Sequence, residues 1–383
     1  MLAKSTICLR PDGLAAKLIC LLLGPGGLAH HPSHSLANMR ENFFNTRLIP
    51  LPHLPRRMIY YSATLLIGFL VLFKSADHFV FGSVATARHF AMSPMLVGLT
   101  IVALGTSAPE IFVAATSSLT GQPGLAVGNA IGSNIANVGM VLGATALIVP
   151  LKFRGDSLRN DLPALLLVTL IAGITLIDQH LGFWDGVLLC GGLTLFLARL
   201  ALEHNQSSNM ATAAEIQELN EIPDMSQTRA LATVALSLCF LLLSSELLVW
   251  SATNIAQLLG VSELLIGLTV IAIGTSLPEL VVSVTSALKN QTDMAIGNIV
   301  GSNIFNLLAA LAIPCLVAPT KVEFELLWRD YSTMFVLTLM LVIFGLLGGG
   351  SAGITRPRAA ALFTMWLAYL ALLYQNTLSS THV

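Results

Sequence analysis

Apolar residues run along this chain in stretches too long for the core of a water-soluble domain. Ten of them have about the 20-residue length with which a helix crosses a bilayer. They lie roughly at 61–83, 95–119, 124–148, 160–178, 183–203, 229–257, 263–287, 293–317, 331–349 and 357–376. Most connections are short turns such as Thr120-Gly121-Gln122-Pro123-Gly124. The longest, 204–228, carries Glu215, Glu218, Glu221 and Asp224 among few apolar residues and reads as an acidic, solvated linker. The pattern predicts an all-α integral membrane protein with ten transmembrane helices and the lipid bilayer as its main partner.

Residues 1–57 break this pattern. They are irregular, with Pro and His and one apolar stretch near Leu14–Gly24 that is too short to span and resembles a weak signal segment. A second reading places the natural start at Met58. Loop charge bears on the choice. With ten spans, one face carries Arg88, Lys152, Arg154, Arg159, Arg199, Arg229, Lys289, Arg356 and Arg358, while the other, from Met58 onward, carries Lys321 and Arg329. Basic loops stay in the cytoplasm, which puts linker 204–228 inside and both ends of the core outside an inner (plasma) membrane. The basic residues upstream of Met58 would erase that bias. The expected division is therefore a poorly ordered or artefactual extension (1–57), a first five-helix unit (58–203), the linker (204–228), a second unit (229–377) and a tail (378–383).

Composition agrees with the membrane reading. The chain is 55% hydrophobic and 10% charged, against about 25% charged in soluble domains. A net charge of −1 with no basic run gives nucleic acid nothing to bind. Cys8, Cys20, Cys190, Cys239 and Cys315 have neither disulfide-framework nor metal-ligand spacing.

The two units are copies. Met95–Gly143 superposes without a gap on Leu264–Ala312, an offset of 169 that also pairs Ser75 with Ser244, Asp77 with Glu246, Pro150 with Pro319 and Lys152 with Lys321. Polar and Gly/Pro positions match, which apolar character alone does not produce. Five spans per unit is an odd number, so the second unit should enter the membrane inverted, a common plan of secondary transporters.

Chemistry concentrates in matched motifs. Gly105-Thr106-Ser107-Ala108-Pro109-Glu110 and Gly274-Thr275-Ser276-Leu277-Pro278-Glu279 fall in the middle of spans 2 and 7. A proline inside a helix lacks an N–H and clashes with the carbonyl four residues back, here Gly105 and Gly274. The helices should break there and free backbone oxygens at membrane depth. Thr106, Ser107 and Glu110 share a helix face, as do Thr275, Ser276 and Glu279. Spans 3 and 8 contribute Ser133 with Asn137 and Ser302 with Asn306, again four apart. Gly128, Gly132, Gly297 and Gly301 have the small-xxx-small spacing that lets helices approach closely. Together these predict a central cluster of hard oxygen ligands around two carboxylates. A divalent cation neutralises both acids, Ca2+ accepts about 6–8 oxygens, and no Cys or His lies nearby to suit a softer metal.

Both repeats resemble the alpha-repeats of the cation/calcium exchanger superfamily, in its short prokaryotic sodium/calcium exchanger branch, over about residues 58–377. The resemblance implies ten spans with alternating access to one central site. It implies Glu110 and Glu279 as principal ligands, with Thr106, Ser107, Ser133, Asn137, Thr275, Ser276, Ser302 and Asn306 around them, and Ca2+ and Na+ (or H+) as transported ions, with no resident cofactor. Some members carry Asp where Asn306 stands, so ion stoichiometry and the coupling ion stay open.

Plainer readings stand beside these. Ser107-x-x-Glu110 and Ser276-x-x-Glu279 also fit a capping box. Asn134 and Asn303 suit bonds between helices, and Asp77 and Glu246 suit helix ends facing water. Calcium:proton or monovalent cation:proton exchange, a passive channel, and a membrane enzyme with Ser107 or Ser276 as nucleophile are the competing functions. The enzyme lacks a His or Lys partner in the cluster. No obligate protein partner is expected.

Overall fold

The computed structural model describes residues 56–152, 157–207, 225–260, 272–346 and 353–380. The expected acidic linker, the first part of span 7 and nearly all of the N-terminal extension lie outside the described residues. The described chain belongs to one compact unit, Leu54–Val383.

It is helical almost throughout. In chain order the elements are α1 (Arg56–His89), α2 (Pro94–Thr106), α3 (Ala108–Leu119), α4 (Pro123–Ile148), β1 (Leu151–Lys152), α5 (Ser157–Leu176), β2 (His180–Leu181), α6 (Phe183–Ser207) and α7 (Gln227–Leu258). They continue with α8 (Ala272–Thr275), α9 (Leu277–Leu288), α10 (Thr292–Val317), β3 (Thr320–Lys321), α11 (Leu326–Gly345), β4 (Gly353–Ile354) and α12 (Arg356–Ser380). Among the described residues seven helices are long and apolar enough to cross a membrane, or eight when the bent pair α2–α3 counts as one span. Helices α5 and α9 contribute shorter apolar stretches, Asn160–Leu176 and Leu277–Leu288.

The 169-residue offset holds in the element bounds. Ala108–Leu119 maps onto Leu277–Leu288, Gly143–Ile148 onto Ala312–Val317 and Leu151–Lys152 onto Thr320–Lys321. Turns match too. Left-handed Ala91 (φ 51°) corresponds to Gly260 (φ 76°), and Gly121 (φ 78°) to Asn290 (φ 61°). Gly and Asn are the residues that tolerate this conformation best; Ala91 adopts it without that advantage.

Burial sorts the helices. In α4 and α10 about four-fifths of the apolar window is buried (78% and 83%), against 17% in α12 and 22% in α6. The outer helices instead expose large apolar side chains such as Leu195, Leu236 and Leu372. A soluble protein could not sustain that surface, whereas hydrocarbon is its natural solvent. Phe183, Trp184, Phe324 and Trp328, all exposed at helix entrances, suit the boundary between lipid and water.

Two short antiparallel ribbons, absent from the sequence expectation, tie one repeat to the other. Leu151 pairs with Ile354 and Lys152 with Gly353; His180 pairs with Lys321 and Leu181 with Thr320. Dipeptides carry no periodic signal, so these strands form because tertiary packing aligns them.

Candidate functional site

The buried helices α4 and α10 carry the site, together with the breaks between α2 and α3 and between α8 and α9. Ser107 sits at the first break with φ −82° and ψ 1°, and Ser276 at the second with φ −92° and ψ 8°. Proline occupies the opening turn of both following helices, where its missing N–H costs nothing. The helix bends by 41° at the first break. Of the two carbonyls opposite the prolines, Gly274 O accepts the Ser245 hydroxyl at 3.1 Å. At the first break the Ser107 N–H donates to Ala103 O at 2.9 Å.

The carboxylates of Glu110 and Glu279 are fully buried. Ser107 Oγ reaches Glu279 Oε1 across the repeats in a long contact of 3.5 Å. Thr106 also stands beside Glu279, Ser133 stands beside Glu110, and the two carboxylates are near enough to interact through their charges. Thr106 Oγ1 lies 3.4 Å from Ser302 Oγ. Glu110, Glu279, Thr106, Ser107, Ser133 and Ser302 are therefore brought together. Ser276 is buried at its break, and Thr275 is half-buried at the end of α8.

Asn137 and Asn306 follow Ser133 and Ser302 by one turn. At each of them the helix widens into a π turn, Asn137–Leu142 and Asn306–Ala310, a distortion that recurs at functional sites and that the sequence pattern did not announce.

The polar atoms of this cluster are poorly satisfied by protein. Both carboxylate oxygens of Glu110, Oε2 of Glu279, Oγ of Ser276 and all four side-chain amide atoms of Asn137 and Asn306 are buried without a hydrogen-bond partner among the described residues. The Ser107 and Ser276 side chains make no capping bond either, so a capping box does not account for the two acids. Asn134 and Asn303, expected to bond between helices, have amide atoms in the same unpartnered state. A buried polar group without a partner costs about 1–3 kcal/mol, more when charged. Such a concentration of unpartnered polar atoms marks the cluster as the candidate site.

Other expectations resolve simply. Asp77 pairs with Lys289 at 2.7 Å, and Glu246 is exposed, so neither joins the central cluster. Gly297 and Gly301 make the close helix contacts that their spacing implied. A Cβ at Gly297 would lie 2.6 Å from Met95 O, and one at Gly301 2.7 Å from Leu99 O. Gly128 and Gly132 do not, since nothing among the described residues comes within 4 Å.

Several polar residues had escaped the sequence reading. Asn129 and Asn298 lie one turn before Ser133 and Ser302 on the same faces, and that i−4 spacing was the available signal. Asp161, buried on α5, pairs with Arg199 of α6 at 2.7 Å. Its counterpart Asp330 accepts from Arg329 and from the Tyr369 hydroxyl at 3.0 Å.

Fold and site together define a multi-pass membrane protein with a buried, oxygen-lined cluster shared between two structural repeats. The sodium/calcium exchanger protein family matches residues 60–202 and 229–375, and the chain belongs to that family. It is 42% identical over 322 residues to the putative antiporter CaxA of Alkalimonas amylolytica, covering 83% of this chain and 100% of that protein. It is 37% identical to the inner membrane protein YrbG of Escherichia coli, covering 82% and 97%. The sodium/calcium exchanger MaX1 of Methanosarcina acetivorans is 29% identical, with 81% and 97% covered. Among solved structures, the sodium-calcium exchanger NCX_Mj superposes with a TM-score of 0.70 at 32% identity, covering 82% of this chain and 98% of the other. The family and fold are those of ion exchangers and not of enzymes.

Proposed function

We propose that this protein exchanges Ca2+ for Na+ across the inner membrane by alternating access to the cluster around Glu110 and Glu279. On this reading it crosses the bilayer ten times as two five-helix repeats of opposite orientation, with the 204–228 linker in the cytoplasm. The observation that carries the reading is the pair of fully buried carboxylates from the two repeats, joined by the Ser107–Glu279 contact and short of protein partners. An ionised acid at a helix centre costs about 2.5–3.5 kcal/mol on the insertion scale, and two facing acids repel. One Ca2+ cancels both charges. Glu110 and Glu279 can offer it four oxygens, and Thr106, Ser107, Ser133, Thr275, Ser276 and Ser302, with the amides of Asn137 and Asn306, can complete a shell of about 6–8. Na+, with one charge, needs two ions or a proton for the same neutrality, which couples the fluxes stoichiometrically. The exchangers MaX1 and NCX_Mj, named for these ions, favour the assignment.

A second reading, calcium:proton exchange, draws on the neutral Asn306. Among the described residues no group of three or more His, Cys, Asp or Glu gathers, so the cluster has two acids to share among ions. The deciding experiment is radiolabelled Ca2+ uptake into proteoliposomes under Na+, K+ and H+ gradients imposed in turn. Uptake driven by Na+ alone supports the proposal, uptake driven by a pH gradient alone supports the second reading, and uptake indifferent to every counter-ion removes both.

A further inference from the structure

The repeats share their sequence plan but not their environment, and the difference falls on one pair of asparagines. Asn298 on α10 is fully buried and makes three contacts. Its Oδ1 accepts from Thr106 Oγ1 at 3.1 Å, while its Nδ2 donates to Ser283 Oγ at 2.9 Å and reaches Glu279 O at 3.5 Å. The Glu279 carbonyl can only accept, so it fixes which end of the carboxamide faces it. Asn298 thereby ties α2 of the first repeat to α9 of the second. Asn129, its counterpart on α4, keeps the bond to its own acid, Nδ2 to Glu110 O at 3.5 Å, but is half-exposed. Ala114 stands where Ser283 does in the other repeat.

The surrounding glycines divide the same way. Around Asn298 the backbones of α2 and α10 touch, and a Cβ at Gly98 would lie 2.5 Å from Met294 O. Beside Asn129, Gly128 is exposed and Gly132 half-exposed.

We propose that Asn298 and Asn129 are paired positioning residues that close opposite sides of the ion site, Asn298 being the engaged member in this conformation. This rests on the alternating-access reading above. Alternating access moves one repeat against the other around a fixed site, and on this proposal the tie engaged in one repeat releases as its counterpart forms. The bond also prepares the ligand. A hydroxyl that gives its hydrogen to Asn298 Oδ1 turns its lone pairs elsewhere, so Thr106 Oγ1 is set to face a cation as an acceptor. Neither asparagine need touch the ion; each acts through a threonine and through the backbone of its glutamate.

The test combines a readout independent of transport with a sided one. In full-length protein in nanodiscs, hydrogen exchange should quicken in Pro94–Thr106 and Thr292–Phe305 of Asn298→Leu, with Pro123–Ala136 unchanged. Ser283→Ala, which copies the residue found in the other repeat, should shift the same segments less, and it decides the matter if the leucine variant does not insert. In proteoliposomes, half-saturating Ca2+ at the two faces should change by about two- to ten-fold, the worth of one or two hydrogen bonds, with a smaller change in maximal rate. Asn129→Leu should move the ratio between faces in the opposite direction. Unaltered hydrogen exchange in both Asn298→Leu and Ser283→Ala, or a ratio that moves the same way in Asn298→Leu and Asn129→Leu, overturns the proposal. Wild-type protein that carries no Ca2+ would instead defeat the functional reading, and hydrogen exchange would still judge the asparagine tie.

Discussion

Replacing Glu110 by Gln removes one charge from the site and almost no volume. Glu110 is fully buried and neither carboxylate oxygen has a protein partner among the described residues, so its charge is directed at something other than the protein. Two unit charges about 4 Å apart attract by about 4 kcal/mol at an effective dielectric of 20. A divalent ion doubles that to about 8 kcal/mol. Desolvation of the carboxylate, a penalty of several kcal/mol that the amide largely escapes, takes back about half. The net loss is about 3–5 kcal/mol of Ca2+ binding, or roughly two to three and a half powers of ten in affinity. The ion-free protein should behave in the opposite sense, because a neutral amide is easier to bury than an unpaired carboxylate. The expectation is thus a Glu110→Gln variant that inserts, melts no lower than wild type in chelator, loses the Ca2+-induced rise in melting temperature, and takes up no radiolabelled Ca2+ in proteoliposomes. Uptake within tenfold of wild type at low Ca2+, or a variant that unfolds without ions while wild type does not, would refute the reasoning.

Further perturbations probe separate parts of the structure. Gly297→Leu must push aside the Met95 carbonyl, 2.6 Å from its new Cβ, and should cost about 1–3 kcal/mol or more, whereas Gly128→Ala should be tolerated; melting temperature and monodispersity in detergent separate them. Arg199→Leu strands the buried Asp161. It should destabilise by less than the roughly 3–5 kcal/mol of a fully buried pair, because the Arg199 side chain keeps 30% of its exposure. Adding Asp161→Leu should recover much of that loss in the same melting assay. Lys289→Gln breaks a partly solvated pair with Asp77, worth about 1 kcal/mol at most, and should leave Ca2+ uptake near the wild-type level; its abolition would give that pair a larger part than its geometry supports.

Much of this was legible because duplication repeats its own evidence. Apolar runs located the helices, and the matched polar positions picked out Glu110, Glu279, Thr106, Ser107, Ser133 and Ser302, which the fold brings together. What stayed hidden depends on contacts between distant segments. The proline motif announced a break, but not that Ser245 of α7 would donate to Gly274 O there. The ribbons are too short for any periodicity. Asp161 and Asp330 carry no local signal, because the groups they meet, Arg199 and the Tyr369 hydroxyl, lie almost 40 residues further on. Gly297 meets Met95 and Leu99, whereas no described residue meets a Cβ at Gly128, a difference that no local pattern encodes.

The ribbons constrain how such a protein can work. Each strand is two residues long, and a slip of one residue would turn its side chains to the wrong face, so β1 with β4 and β2 with β3 leave little tolerance for sliding one repeat bodily past the other. Rearrangement at the ion cluster is then cheapest as flexing within helices at Ser107, Ser276 and the widened turns after Asn137 and Asn306, while the stapled loops hold the register of the frame.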